Sequence, residues 1–226
     1  MSNKLNISVF IGIISAPIVL CYFLKKRYKQ LVTDLEKDPK QSTYYECMFF
    51  DYRNFCCKPH LISKQECGYI CSYTRLERLL RYIGSAKKSI SMCMYMMTLQ
   101  QIKDALISAA RRGVLIRFVI DKVNSRNCHV KLNLDHLSAN GVVCLTSPSE
   151  NEIMHHKFCL IDEKDPQAAK AFFGSVNLTA QAFCQNFEAL ILTNNQDIIE
   201  RLSAEFEQLW TGFHCNSVCH YNSVKA

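Results

Sequence analysis

From Leu5 to Leu24 the chain carries no charged side chain, and this run, LNISVFIGIISAPIVLCYFL, is long enough to cross a hydrocarbon core. It predicts a transmembrane helix, in which Pro17 is tolerated as a kink. Lys25, Lys26, Arg27 and Lys29 follow at once, and a basic flank on that side keeps the remainder of the chain in the cytosol. A cleaved signal peptide is the alternative, but it wants its basic residues before the apolar stretch, where only Lys4 stands. Residues 1–29 are therefore read as an anchor with its basic flank. Residues 30–46, QLVTDLEKDPKQSTYYE, turn polar and read as a linker to a soluble unit that starts near Cys47 and runs to about residue 212, before a tail over 213–226.

Within that unit the period of the apolar positions switches repeatedly. Thr74 and Glu77 form a capping box ahead of Leu76, Leu79, Leu80 and Ile83, a helical stripe that ends at Gly84. SISMCMYMM, residues 89–97, is a short apolar strand, and QQIKDALISAARR, residues 100–112, is an amphipathic helix stopped by Gly113. VLIRFVID is a buried strand. A helix from Val130 to Ala139 is halted by Asn140 and Gly141, and VVCLT is the next strand. A last helix from about Ile198 to Trp210 buries Ile199, Leu202, Phe206 and Leu209. Alternation of this kind predicts an α/β domain, a layered mixed sheet flanked by helices, preceded by the one transmembrane helix.

A length of 226 residues allows one such domain and an appendage, and excludes two full catalytic lobes. With 49% hydrophobic and 21% charged residues the chain has a core and is not disordered, and a net charge of +7 favours anionic partners such as nucleic acid or acidic lipid. Thirteen cysteines would form disulfides in a secreted protein, but in a reducing compartment most become buried thiols, as expected for Cys93, Cys144 and Cys159 in their apolar runs. The segment CCKPHLISKQECGYIC differs: Cys57 and His60 form one close pair, Cys67 and Cys71 another, and two such pairs suit structural zinc in an insertion over about 56–71. Cys47 or Cys56 could replace one ligand, and unrelated loop thiols are the alternative, since the spacing fits no strict finger. His214, Cys215, Cys219 and His220 also have metal-like spacing, but no framework remains at that terminus to hold an ion.

Candidate chemistry sits in MHHKFCLID, residues 154–162, an apolar strand interrupted by two histidines and a lysine. Strand alternation sends His155 and Lys157 to one face and Met154, His156 and Phe158 to the other. A lone histidine there would be a satisfied core residue. Two potential cations side by side, with Asp162 at the strand end, call for an anion between them, and phosphate is the natural guest. Just downstream, AFFGSVNLT supplies Gly174 for close approach and Ser175 and Asn177 as hydrogen-bond donors, and NFEALIL puts Glu188 at the start of another strand.

The pattern His-x-Lys-x-x-x-x-Asp, then Gly-Ser-x-Asn and a downstream Glu, resembles the phospholipase D superfamily, whose members cleave phosphodiesters without metal. Long members carry the motif twice; this chain has it once and so must borrow a second copy from a partner. The single motif, the N-terminal anchor, the cysteine-rich loop and HHKFCLID together are similar to the mitochondrial phospholipase D-like family known as Zucchini in insects. The resemblance covers nearly the whole chain. It implies His155, Lys157 and Asp162 as the catalytic motif, with His155 as nucleophile, Lys157 and Asn177 as phosphate ligands assisted by Ser175, Glu188 orienting His155, and Asp162 in a structural part. It implies a homodimer working through a phosphohistidine, and it matches the cysteine loop to the family's zinc-binding insertion, with Cys57, His60, Cys67 and Cys71 as ligands and no catalytic metal. Two substrates are implied: single-stranded RNA, cut during maturation of piRNAs, and cardiolipin, hydrolysed to phosphatidate at the mitochondrial outer membrane, with the catalytic unit facing the cytosol. Lys122, Arg126, Lys131 and Arg201 are candidate groove residues and incline the reading to the ribonuclease. A non-enzymatic membrane adaptor for RNA-processing factors is the third reading, and the intact catalytic set argues against it.

Overall fold

The computed structural model describes residues 20–28, 42–51 and 71–223, with side chains through His214. The chain divides into two units, Met1–Ser42 and Thr43–Ala226. In the first, residues 20–28 are helical with exposed side chains. Most of the apolar run Leu5–Leu24 lies outside the described residues, and among the described residues no helix is long and apolar enough to cross a membrane.

The second unit is built on one sheet. Its described elements are β1 (Tyr45–Phe50), α1 (Ser72–Gly84), β2 (Ser89–Met94), α2 (Gln100–Arg111), β3 (Leu115–Ile120), α3 (Lys122–Ser125), α4 (Cys128–Ala139), β4 (Val143–Thr146), β5 (Lys157–Ile161), β6 (Lys170–Gly174), α5 (Ala180–Cys184), β7 (Glu188–Thr193) and α6 (Gln196–Ser223). The strand order is β1-β7-β6-β5-β2-β3-β4. Strands β2, β3 and β4 pair in parallel, as βαβ crossovers require, and every other pair is antiparallel. The expected α/β architecture with a mixed sheet is thus present.

Alternation along the strands feeds two cores. Ile90, Met92 and Met94 of β2 and Cys159 and Ile161 of β5 pack with α1, α2, α4 and α5 on one face. Cys93, Phe158 and Leu160 pack on the other with Ile199 and Phe206 of α6. Cys93 and Cys159 are buried free thiols, and burial pushes both above the ordinary cysteine value. Arg117 of β3 fastens α6 to its face: it bonds Glu207 at 2.7 Å, reaches the buried Glu163, and lies over the rings of Phe206 and Trp210. Gly113 and Gly141 take positive φ, 89° and 87°, where α2 and α4 must turn back, and only glycine adopts that conformation without strain.

Several sequence boundaries need correction. Helix α1 begins at Ser72 behind Cys71, so Thr74 and Glu77 lie inside its first turns and form no capping box. Strand β1 starts at Tyr45, inside the stretch read as linker, because its Met48 and Phe50 fill the core opposite β7. Strand β2 stops at Met94, with Met97 held by a separate bridge to Leu178. Helix α6 extends to Ser223, through residues read as tail.

Candidate functional site

One end of the sheet collects the residues of interest. Because β5 runs antiparallel to β2 and β6, and β6 to β7, the exit of β2, the entry of β5, the exit of β6 and the entry of β7 share that end. Met94 is paired with Lys157, and Gly174 with Leu190.

The strand of the motif starts only at Lys157, and His155 and His156 lie in the irregular segment before it. Alternation still holds there. The exposed His155 ring meets Tyr95 edge to face, with centroids 4.6 Å apart, and the Lys157 ammonium stands 5.1 Å from the centre of the same Tyr95 ring. His156 turns the other way, its Nε2 3.0 Å from Glu205 of α6. Lys157 is 8% exposed, and its Nζ donates to the His155 carbonyl at 2.9 Å. Burial lowers its pKa below the ordinary lysine value, and the charge of Glu188 opposes that shift.

The approach to His155 is fixed by a residue the sequence reading passed over. Asp121, at the exit of β3, is buried; one carboxylate oxygen caps α3 through Asn124 N–H, and the other accepts Met154 N–H at 3.3 Å. An acidic residue ending an apolar strand was the available signal. Tyr95 was missed as well, being taken with the methionine-rich run as core.

On the β6–β7 side, Ser175 donates its hydroxyl to Glu188 and accepts Ala189 N–H at 3.0 Å, and Asn186 donates to the other Glu188 oxygen at 2.9 Å. Within one chain the Glu188 carboxylate thus meets Ser175 and Asn186. Asn177 Oδ1 is buried with no hydrogen-bond partner among the described residues, and Thr179 caps α5. Gly174 is required by close approach: a Cβ there would lie 2.1 Å from the Ala189 carbonyl oxygen. Gly174→Ala is expected to lower stability by about 1–3 kcal/mol by forcing β6 from β7, read as a fall of several degrees in thermal unfolding. An unchanged melting temperature would show that the strands part without cost.

Asp162 is not brought to this end. It follows the far end of β5, roughly 20 Å from His155 at the usual rise per strand residue. Its carboxylate accepts the backbone N–H groups of Lys87, Lys88 and Ser89 at 3.0, 2.6 and 2.9 Å, and so closes the α1–β2 turn. Three of the four sequence-read zinc ligands, Cys57, His60 and Cys67, lie outside the described residues, as does Cys56; Cys71 precedes α1 and Cys47 is exposed on β1. Among the described residues no cluster of three or more His, Cys, Asp or Glu could hold a metal. Of the candidate groove residues, Lys122 Nζ is bonded to the Pro148 carbonyl at 2.7 Å and Arg126 is paired with Glu150, whereas Lys131 and Arg201 are exposed.

Comparison with known proteins gives the same direction. Residues 79–210, more than half the chain, match the family described as cardiolipin synthase, PLD-like domain. A mitochondrial cardiolipin hydrolase of Chlamydomonas reinhardtii is 27% identical over 172 residues, covering 74% of each chain. The Xenopus laevis protein of that name is 29% identical over 167 residues, covering 73% of this chain and 76% of its own. Among solved structures, a phospholipase D family member, Nuc from Salmonella typhimurium, shares the fold with a TM-score of 0.59 at 22% identity, over 75% of this chain and 95% of that one. By its matched segment and by the fold that carries it, the chain belongs to the phospholipase D-like family of phosphodiesterases.

Proposed function

We propose that the chain is a metal-independent phosphodiesterase acting through a phosphohistidine at a homodimeric site, and that its substrate is cardiolipin or a closely similar membrane phosphodiester. The observation that carries the mechanism is the juxtaposition of the exposed His155 imidazole and the buried Lys157 ammonium on one tyrosine ring. His155 attacks phosphorus, a nitrogen–phosphorus bond forms, and the ester oxygen leaves with a proton from the second chain's imidazole. That imidazole then takes a proton from water, whose oxygen displaces His155 and frees the phosphomonoester. Lys157, with Asn177 as second ligand, balances the charge on the non-bridging oxygens.

The substrate assignment rests on the names of the relatives, and it is supported by Ile153 and Phe187, 63% and 72% exposed, which flank His155 and Glu188 in sequence and are apolar side chains of the kind acyl chains contact. The ribonuclease reading in piRNA maturation keeps the exposed Lys131 and Arg201 and the net charge of +7 in its support. Residues 5–24 serve as the membrane anchor in this proposal, with the mitochondrial outer membrane as location and the catalytic unit cytosolic. Structural zinc on Cys57, His60, Cys67 and Cys71 belongs to it too, supported by the spacing of the two pairs.

The test offers the full chain, in detergent and with brief EDTA treatment, cardiolipin liposomes and labelled single-stranded RNA in parallel. Phosphatidate release that persists in EDTA is expected. RNA cleavage without phosphatidate would move the substrate to the nucleic acid, and activity lost within seconds of chelation and restored by magnesium would overturn the imidazole mechanism. Elemental analysis of the untreated protein should give about one zinc per chain.

A further inference from the structure

We infer that Tyr95 is a positioning residue for the reaction: its ring seats the His155 imidazole and the Lys157 ammonium together, although it lies outside the His-x-Lys motif and the Gly-Ser-x-Asn segment. The inference rests on His155 being the nucleophile, as proposed above.

Tyr95 is held firmly enough to serve. It follows directly on β2, whose last residue, Met94, pairs with Lys157. Beyond it the chain is stitched to the segment of Asn177: Leu178 N–H bonds the Met96 carbonyl at 3.1 Å, and Thr98 and Leu99 N–H both bond the Leu178 carbonyl, at 2.9 and 3.1 Å. The half-buried residue is thus held between β5 and the segment of Asn177. His155 has the opposite problem. It is exposed and precedes the strand, and no hydrogen bond among the described residues holds its imidazole, so the edge-to-face contact with Tyr95 at 4.6 Å is what selects its rotamer.

An aromatic ring suits this position chemically. Lys157 is cationic throughout, and the His155 ring gains positive charge as it takes the phosphoryl group. A carboxylate in the ring's place would attract both cations but, added to the nearby charge of Glu188, would repel the phosphodiester more strongly. The π face attracts cations through its quadrupole and carries no net charge to repel an anion. It also excludes water from one side of the ammonium, consistent with the burial that lowers the Lys157 pKa.

The experiment compares Tyr95→Phe and Tyr95→Leu with wild type and His155→Ala, using full chains and bis(p-nitrophenyl) phosphate as probe, with thermal unfolding measured on each. Tyr95→Phe should keep kcat within about twofold, whereas Tyr95→Leu should lose about tenfold or more in kcat with KM changed less than about twofold. Tyr95→Met serves in the same comparison should the leucine variant fail to fold. An inactive His155→Ala beside a Tyr95→Leu or Tyr95→Met protein with wild-type kcat would overturn the role of Tyr95 alone. A phenylalanine variant as impaired as the leucine one would assign the effect to the hydroxyl and overturn seating by the ring. Full activity in His155→Ala would overturn the nucleophile assignment and this inference with it.

Discussion

Replacing His155 with alanine is expected to lower phosphodiester turnover by about 10⁴-fold or more while leaving thermal unfolding near wild type, because the imidazole is exposed and supports no core. The sharper outcome comes from mixing. Under the proposed mechanism one imidazole attacks and another protonates the leaving oxygen, which calls for two copies of the motif and a second chain facing the first across a two-fold axis. With equal amounts of wild-type and His155→Ala protein and free subunit exchange, about half of the wild-type chains enter mixed dimers with one imidazole. Activity per wild-type chain should fall to about half, and further with excess mutant. Unchanged activity per wild-type chain, with exchange confirmed by tag pull-down, would show that one motif suffices and that no composite site exists.

Asp162→Ala is expected to have the opposite profile: a large loss of stability with little effect on chemistry per folded molecule. The carboxylate is 2% exposed and accepts three consecutive backbone N–H groups, and alanine would leave those donors unpaired in the α1–β2 turn. Together these effects should cost about 3 kcal/mol, or roughly 6–12 °C in melting temperature. The backbone adds to this, for Asp162 sits at φ 51°, a conformation that asparagine and aspartate tolerate better than alanine. Asp162→Asn keeps that tolerance and one acceptor oxygen, and should lose less. An Asp162→Ala protein that melts like wild type but does not turn over would return this carboxylate to the chemistry.

That contrast within one motif shows what a sequence can carry. His155 and Lys157 were legible because imidazole and ammonium are out of place in a run such as FCLI, and period-two alternation predicted their shared side even where regular strand pairing had not begun. The role of Asp162 was not fully legible from its spacing. Its partners, Lys87 to Ser89, lie more than seventy residues away, and only the antiparallel pairing of β5 with β2 brings them together. Glu188 illustrates the same limit: its place at a strand start was readable, but its contacts with Ser175 and Asn186 depend on side-chain geometry. Tyr95 was hidden by its neighbours, because the methionine-rich run SISMCMYMM looks like core and only the end of the strand exposes one ring to the site. The capping box failed for a local reason: Ser-Tyr ahead of Thr74 is equally able to be helical, so the helix started earlier.

The pairing of the first strand with the last has a consequence for how the protein is made. Tyr44 N–H bonds the side chain of Asn194 at 2.8 Å across 150 residues, and among the described residues β1 pairs with no strand but β7. Contacts of such sequence separation are slow to form, because a long loop must close before they contribute. On a ribosome β1 emerges early and waits, its Met48 and Phe50 without their strand partner, until β7 has been synthesised. A nascent chain released before Glu188 therefore leaves β1 and β6 as open edges, available to chaperones or to edge-to-edge aggregation, and the described sheet is complete only after β7 has been translated.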